Sequence, residues 1–252
     1  MLELNKIYFE DCVEGMKKID GESIDMILCD LPYGVTARNK WDNIIPFDLL
    51  WKSYERVIKN NGAIILTATQ PFTSALVMSN LKLFKYEWIW EKSKASNFLS
   101  SRKQPLKAHE NILVFSKKSH KYNPQKTKGK PYSGDRRAGW KGSETSAYGV
   151  VPNPLFRNGN ATGDRFPRSV QYFITAESEG KQTHPSQKPV GLFEYLIKTY
   201  TDENELVLDN CMGSGTTAIA CKNTNRNFIG FENDPNYYEI ATKRIKNWQK
   251  VA

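Results

Sequence analysis

The stretch that decides the fold is Ile24-Asp25-Met26-Ile27-Leu28-Cys29, an apolar run interrupted only by Asp25, which leads directly into Asp30-Leu31-Pro32-Tyr33-Gly34. Such a run is typical of a strand buried on both faces of a parallel sheet, and open α/β sheets bind ligands beyond the carboxyl ends of these strands. Asp30 and the Leu31 carbonyl could accept hydrogen bonds from an amino group, and the Tyr33 ring could stack on a flat heterocycle. The pentapeptide therefore predicts a pocket for an aromatic amine, although an ordinary turn explains it equally well when it is taken alone.

Apolar strands and amphipathic helices alternate on both sides of this stretch. We expect strands at Asn5–Glu10, Ile24–Cys29, Ala63–Leu66, Tyr86–Trp90, Asn111–Phe115, Glu205–Asp209 and Asn227–Phe231. We expect helices at Val13–Ile19, Pro46–Ile58, Pro71–Asn80, Pro189–Tyr200, Ser214–Cys221 and Pro235–Trp248. Between Ser116 and Thr183 the periodicity fails. The alternation predicts an α/β fold with a mostly parallel, twisted sheet and helices on both faces.

The composition sets bounds on the class of protein. The 252 residues suit one large domain or one domain with an insertion, and 39% hydrophobic residues are ordinary for a soluble globule. No apolar run approaches the roughly 20 residues of a membrane span, and the first residues lack a signal-peptide pattern, so a cytoplasmic location without a membrane partner is the default expectation. Four cysteines without C-x-x-C spacing indicate neither a metal site nor a disulfide framework.

The positive charge is concentrated in one segment. The formal net charge is +9, and between Lys92 and Arg168 there are 17 Lys and Arg against 4 Asp and Glu. The rest of the chain holds 19 basic and 23 acidic residues. A segregated excess of this kind indicates a polyanionic partner, most simply a nucleic acid. Interleaved aromatic residues in the aperiodic stretch from Ser116 to Thr183 argue against simple disorder, so we interpret that stretch as an insertion that contacts the polyanion.

A second candidate site follows the strand that ends at Asp209. Asp209-Asn210-Cys211-Met212-Gly213-Ser214-Gly215-Thr216-Thr217 opens a helix, and its two glycines allow a tight turn and close approach of a ligand. Glu232 ends the next strand, near the spacing at which an acidic residue binds ribose hydroxyls in dinucleotide folds. The loop has no Walker lysine and no complete pyrophosphate fingerprint. An adenosine without phosphates is therefore at least as plausible a ligand as NAD, and a plain strand-to-helix turn is the structural alternative.

Three motifs together resemble those of the beta class of DNA amino-methyltransferases. Asp30-Leu31-Pro32-Tyr33 resembles the D/N/S-P-P-Y/F/W motif, and Asp209 to Gly215 resembles the S-adenosylmethionine loop. His184-Pro185-Ser186-Gln187-Lys188-Pro189 is similar to the H-P-x-x-K-P segment that precedes that loop. The order is also the permuted order of that class, which methylates adenine N6 or cytosine N4. The resemblance extends from Asn5 to about Trp248, apart from the insertion.

The resemblance implies a Rossmann-like methyltransferase fold, with residues 1–116 and 184–252 as the catalytic domain and 117–183 as an inserted, loop-rich target-recognition region. A flipped base would place its amine between Asp30 and the Leu31 carbonyl, with Pro32 stiffening the turn and the ring on Tyr33. In the cofactor site, Asp11 would face the adenine amine, Glu232 the ribose, and Asp209, Gly213 and Gly215 the methionine. The further cofactor-site residues would be Thr216 and Thr217, at the methionine carboxylate, and Cys12, Asp30, His184 and Lys188.

For DNA contact we expect Lys92, Asn97, Arg102 and Lys103 beside the insertion, and Arg136, Arg137, Trp140 and Lys141 within it. Leu31 departs from the proline of the family motif, which leaves the choice between adenine and cytosine less sharp. We expect methyl transfer from S-adenosylmethionine to adenine N6 in double-stranded DNA. N4-cytosine transfer, an RNA or protein-glutamine methyltransferase and a non-catalytic nucleic-acid-binding protein are the alternatives. A homodimer and a paired restriction endonuclease stay open as partners.

Overall fold

The protein, seen in a computed structural model, is described over residues 2–34, 43–132, 160–179 and 187–249. Its strands are β1 Lys6–Phe9, β2 Ile24–Asp30, β3 Ile58–Ala68, β4 Phe84–Ser96, β5 Lys107–Phe115, β6 Thr127–Lys128, β7 Asp164–Arg165, β8 Val170–Phe173, β9 Leu206–Asp209 and β10 Asn227–Glu232. Its helices are α1 Cys12–Lys17, α2 Phe47–Val57, α3 Phe72–Ser79, α4 Ala176–Glu179, α5 Val190–Tyr200, α6 Thr216–Asn223 and α7 Pro235–Lys246.

An eight-stranded sheet organises the fold, with the strand order β1-β10-β9-β2-β3-β5-β4-β8. From β1 to β3 all pairs are parallel, and β5 runs antiparallel to both β3 and β4. β2 and β9 are direct neighbours, with Ile27 opposite Leu208. The predicted mostly parallel sheet is thus confirmed, and the two motif-bearing strands lie side by side at its centre.

The core has two layers because successive residues of β2 face opposite sides of the sheet. Ile27 and Cys29 belong to the layer formed with α1, α2 and α3. Met26 and Leu28 belong to the layer formed with α5, α6 and α7. Both faces of β2 are therefore buried, which is why its sequence is almost continuously apolar.

On the antiparallel side of the sheet, strands β4 and β5 are longer than the apolar pattern predicted. β4 continues to Ser96 and β5 begins at Lys107, so this hairpin extends beyond the expected Tyr86–Trp90 and Asn111–Phe115. The added residues are polar, and they pair with each other outside the buried sheet, as Glu91 does with His109. A pattern based on apolar residues cannot detect such a segment.

Two compact units divide the described chain. One comprises Met1–Asn123 with Ser169–Ala252, and the other comprises Pro124–Arg168. The second unit is narrower than the expected insertion at 117–183, because β8 joins the large sheet beside β4 and Asn123 donates its backbone N–H to Thr199 of α5. In the second unit, β6 pairs antiparallel with β7, and the Arg165 guanidinium lies over the Tyr132 ring.

Candidate active site

One cavity of about 760 Å³ opens at the carboxyl edge of the parallel strands. Strand adjacency explains its position, because β2 ends at Asp30 and its neighbour β9 ends at Asp209. Both predicted motifs therefore line the same cavity. The predicted site residues that line this cavity are Asp11, Cys12, Asp30, Leu31, Pro32, Tyr33, Lys188, Asp209, Gly213, Thr216, Thr217 and Glu232.

The Asp30 carboxylate is surrounded by donors. Oδ1 accepts a 2.6 Å hydrogen bond from the Tyr33 hydroxyl and another from the Thr67 hydroxyl. Oδ2 accepts from the Lys188 ammonium at 2.6 Å. Burial of Lys188 disfavours its charged form, but the charges of Asp30 and then Glu110 outweigh this effect and raise the pKa of Lys188 above its usual value. The site therefore holds a charged ammonium against the carboxylate that the motif provides.

Leu31 and Tyr33 each combine a cavity position with core packing. The Leu31 side chain is 4% exposed and packs in the core layer formed with α1, α2 and α3. This packing accounts for a large apolar residue where the family motif has proline. The Tyr33 ring lies 5.2 Å from the Phe72 ring, centroid to centroid. Burial, followed by the charge of Asp30, raises the pKa of Tyr33 well above its usual value. The phenol therefore stays neutral and donates to Asp30.

The glycine loop is held by two carboxylates. Asp209 accepts from the Cys211 backbone N–H at 3.0 Å and from the Thr217 hydroxyl. Glu232 accepts from the Gly213 backbone N–H at 2.7 Å. Burial raises the pKa of Asp209 to about 7. Gly213 has φ +52, a left-handed conformation that favours glycine, although the nearest atom to an added Cβ would be 4.0 Å away.

Several predicted cofactor residues have a structural task in this arrangement. Gly215 is not among the cavity-lining residues of the described chain; it has φ +83 and faces Ala241, whose Cβ would lie 3.2 Å from an added Cβ. The Thr217 hydroxyl donates to Asp209, and the Thr216 hydroxyl donates to the Lys188 carbonyl at 3.3 Å. Asp11 lines the cavity and also caps α1, because Oδ1 accepts from the N–H groups of Val13 and Glu14.

Lys188 and His184 belong to one sequence motif but differ in what the structure describes. Lys188 is 6% exposed and lies between two carboxylates, with Nζ 2.6 Å from Asp30 and 3.5 Å from Glu110. Lys188, expected at the cofactor site, thus also contacts the carboxylate of the predicted acceptor pocket. His184 lies outside the described residues.

The predicted DNA contacts separate into three groups. Lys92 donates to Glu110 at 2.7 Å with only 11% of its side chain exposed, a position that does not favour phosphate contact. Arg102 and Lys103 are exposed at the tip of the β4–β5 hairpin, and Asn97 precedes a 3₁₀ turn there with φ 72. The remaining candidates, Arg136, Arg137, Trp140 and Lys141, lie outside the described residues, as does most of the loop after Gly34.

Sequence reasoning missed Thr67, and it named Glu110 only as one of the residues flanking the insertion that could contact phosphate or line the pocket. Thr67 is the last residue but one of β3 and lies directly opposite Asp30 in the sheet register, so its position near the end of the neighbouring strand was the available signal. Glu110 lies beyond Asn111, which pairs with Ala68 at the same edge of the sheet. Because β5 is antiparallel, Glu110 precedes its apolar run instead of following it, and the motif pattern does not mark it.

The cavity suits a nucleoside-based methyl donor. Glu232 is 8% exposed, lines the cavity and uses its two oxygens for one backbone N–H each, from Gly213 and Asp234, which leaves lone pairs for hydroxyl groups. Asp11, which follows the end of β1, offers a further carboxylate to the cavity. Fold and cavity together define the class of α/β enzymes that bind such a donor beside an amine-accepting pocket.

Comparison with known proteins identifies the family. The sequence model of the DNA methylase family, whose members are N6 and N4 methyltransferases, matches residues 24–243. Type II methyltransferase M1.MboII of Moraxella bovis is 31% identical over 259 residues, which cover 96% of this chain and 96% of that protein. DNA adenine methyltransferase YhdJ of Escherichia coli is 27% identical over 258 residues, covering 96% of this chain and 83% of that protein.

Solved structures agree with this assignment. The crystal structure of the M1.HpyAVI–SAM complex aligns with a TM-score of 0.66 at 25% identity, covering 96% of this chain and 99% of that chain. PvuII DNA methyltransferase, which is cytosine-N4-specific, aligns with a TM-score of 0.69 at 17% identity over 97% and 88%, a likeness of fold alone.

The chain belongs to the DNA methylase family. It is an S-adenosylmethionine-dependent DNA methyltransferase that acts on an exocyclic amino group, with the α/β methyltransferase fold. Within the described ranges, no helix is long and apolar enough to cross a membrane. The same residues contain no group of three or more His, Cys, Asp or Glu placed to hold a metal ion.

Proposed function

We propose that this enzyme methylates N6 of adenine within a specific sequence of double-stranded DNA, after the base has been flipped into the cavity. The observation that carries the proposal is the Asp30 carboxylate, which lies in the cavity with the Tyr33 ring beside it. An enzyme cannot reach this amine inside a duplex, so the base must leave the stack. Asp at the first motif position and the similarity to an adenine methyltransferase favour adenine.

The catalytic residues act by positioning. Asp30 and the Leu31 carbonyl would accept the two amine hydrogens, so that the nitrogen lone pair points away from both acceptors. When bound, S-adenosylmethionine supplies a methyl group on a cationic sulfur. Asp11, Glu232 and the loop around Gly213 would hold it beside the amine. The negative charge of Asp30 stabilises the positive charge that develops on the nitrogen, so electrostatics and orientation provide the rate enhancement.

The DNA is held by positive charge outside the cavity. Arg102 and Lys103 are exposed on the β4–β5 hairpin, and no Asp or Glu occurs between Lys92 and His109. We assign phosphate contacts to the hairpin, with Asn97 at its turn. Target recognition would belong to the insertion at 117–183, with Arg136, Arg137, Trp140 and Lys141 as its basic and aromatic cluster.

The names of the relatives support a proposal about the biological setting. Several are type II methyltransferases by name, which supports a pairing with a restriction endonuclease. We also propose a cytoplasmic location, where such a modification enzyme meets its DNA. A homodimer is a further proposal, tested by the mass of the protein in solution.

The experiment is incubation of the protein with mixed duplex DNA and S-adenosylmethionine that carries a labelled methyl group. Mass analysis of the nucleosides should find N6-methyladenine, and sequencing for modified bases should find one recurrent site. Finding N4-methylcytosine instead would identify cytosine as the target base. Methyl label in RNA from a parallel reaction would identify RNA as the substrate.

The variant Asp30→Ala separates an enzyme from a binding protein. Transfer should fall by more than about 100-fold, because a group aimed at the developing charge is removed. Cofactor affinity, measured by calorimetry, should change little. A protein that only binds nucleic acid would have no transfer to lose.

A further inference from the structure

The Asp30 carboxylate is already occupied at the point where the target amine must bind. Oδ1 accepts from two neutral hydroxyls, of Tyr33 and Thr67, and Oδ2 accepts from the charged Lys188. An ammonium at 2.6 Å competes with the incoming amine for the carboxylate. It also opposes the positive charge that develops on the nitrogen during transfer. Of the three partners of Asp30, Lys188 is therefore the one whose charge most disfavours binding and transfer at this carboxylate.

Lys188 cannot leave into water. Its side chain is 6% exposed, and a charged ammonium placed without a partner in such surroundings is strongly disfavoured. Its second position must lie inside the protein and must carry negative charge.

Glu110 offers that position. Oε1 accepts from Lys92 at 2.7 Å, whereas Oε2 is buried and accepts no hydrogen bond within the part of the chain that the structure describes. The distance from Oε2 to Lys188 Nζ is 3.5 Å. A charged hydrogen bond of about 2.8 Å would need Nζ to move by less than about 1 Å. Such a shift would weaken the bond to Asp30 by lengthening it, while Lys188 stays close to both carboxylates. Burial alone would raise the pKa of Glu110, but the charges of Lys188 and Lys92 lower it, so the acceptor is ionised.

We propose that Lys188 has two positions, on Asp30 before the base enters and on Glu110 while the target amine occupies Asp30. Glu110 is then a positioning residue for methyl transfer. This inference rests on the proposed function, since it concerns the same acceptor pocket. The site contains the ammonium groups of Lys92 and Lys188 and the carboxylates of Asp30 and Glu110 in both positions of Lys188. The shift therefore moves no net charge into or out of the site.

A static role is the competing explanation. In that case Lys188 stays between Asp30 and Glu110 and joins the edges of β2 and β5. Removing the Glu110 charge would then lower the stability of the protein and leave the rate of the chemical step unchanged.

The test is the variant Glu110→Gln. Its rate of methyl transfer is measured under single-turnover conditions with saturating cofactor, on a duplex that carries the methylation site identified by sequencing. Because the neutral amide is a weaker acceptor for an ammonium, we expect the rate to fall about tenfold, with the cofactor affinity unchanged. Glu110→Asp, which keeps the charge, should recover part of the rate. A rate equal to that of the wild type would overturn the proposal.

A double-variant cycle separates positioning from folding. If Glu110 acts only by receiving Lys188, adding Glu110→Gln to Lys188→Met should slow transfer no further. Independent, additive losses would overturn the proposal. The matched control is Asp25→Asn, which removes a carboxylate from the ion pair with Lys59 at the opposite end of β2 and should leave the rate unchanged. Wild-type transfer in the same assay tests the proposed function by itself.

Discussion

Asp30 and Asp209 end neighbouring strands, but their surroundings give them different tasks. Asp30 is partly exposed to the cavity and accepts from side-chain groups, the Tyr33 hydroxyl and the Lys188 ammonium. Asp209 is 3% exposed and bonds to the backbone and hydroxyl of its own loop. One carboxylate is thus available to a substrate, whereas the other shapes the loop that holds the methyl donor.

Tyr33 tests how much of its contribution comes from the ring and how much from the hydroxyl. Tyr33→Phe removes the hydrogen bond to Asp30 and keeps the packing on Phe72, so transfer should slow by about fivefold to tenfold. Tyr33→Ala also removes the stacking surface, and a rate reduction of more than about 100-fold is expected. Single-turnover assays measure both rates. Equal reductions in the two variants would contradict a stacking role.

The raised pKa of Asp209 predicts a pH dependence of stability. Because the folded protein holds this proton up to about pH 7, the stability that Asp209 contributes at acidic pH is lost as the pH rises from the usual carboxyl range toward that value. In Asp209→Asn this dependence should be absent, since the amide does not titrate. Urea unfolding at about pH 5 and about pH 8 measures the difference. The same pH dependence in variant and wild type would show that Asp209 does not titrate as expected.

The hairpin of β4 and β5 continues past the carboxyl edge of the parallel strands. β5 reaches the carboxyl edge of the parallel strands at Asn111, which pairs with Ala68. The hairpin continues beyond that pair to Lys107 and Ser96. Phe98 and Leu99 at the tip are 68% and 104% exposed. The element therefore presents basic and apolar residues on the side of the sheet where the cavity opens.

Removing the charges of Arg102 and Lys103 tests the hairpin. The double variant with Gln at both positions should bind DNA more weakly, and the slope of log affinity against log salt should decrease by about 2, because each of the two cations would neutralise one phosphate. Fluorescence titration at several salt concentrations measures this slope. The control is Lys82→Gln with Lys85→Gln, exposed lysines at the opposite end of β4. Equal slopes for the two double variants would argue against a role of the hairpin in DNA binding.

Strand patterns predicted most of the sheet, and strand ends predicted much of the site. β2 and β9 were found because both are apolar and end in Asp, and a parallel sheet brings such ends together. β8 was missed because it has only four residues, which are exposed or partly buried, and because it lies within the stretch from Ser116 to Thr183 where the periodicity fails. The contact between Lys188 and Asp30 joins residues 158 positions apart. No local propensity encodes such a pair, and it depends on the completed fold.

The whole molecule brings its cofactor residues together from distant parts of the chain. The cavity is lined by the end of β1, the end of β2, the loop after β9 and the end of β10. These segments form one surface only when the sheet is assembled. The methyl donor should therefore bind the folded state and not the unfolded chain.

Ligand binding should accordingly stabilise the entire fold. At a cofactor concentration of about 100 times the dissociation constant, the free energy of unfolding should rise by about 2.7 kcal/mol. Urea unfolding with and without cofactor measures the rise, and Asp30→Ala should show the same rise if its defect is confined to transfer. An unchanged unfolding midpoint at saturation would contradict binding at this cavity.

The adjacency of β2 and β9 also has a consequence for synthesis. A growing chain completes β2 at Asp30, but the neighbour on one side, β9, does not exist until Asp209 has been made. For most of translation, β2, which is apolar on both faces, has one unpaired edge. Unpaired apolar edges invite association with other chains. The period of greatest aggregation risk should therefore end only when the last part of the sheet emerges from the ribosome.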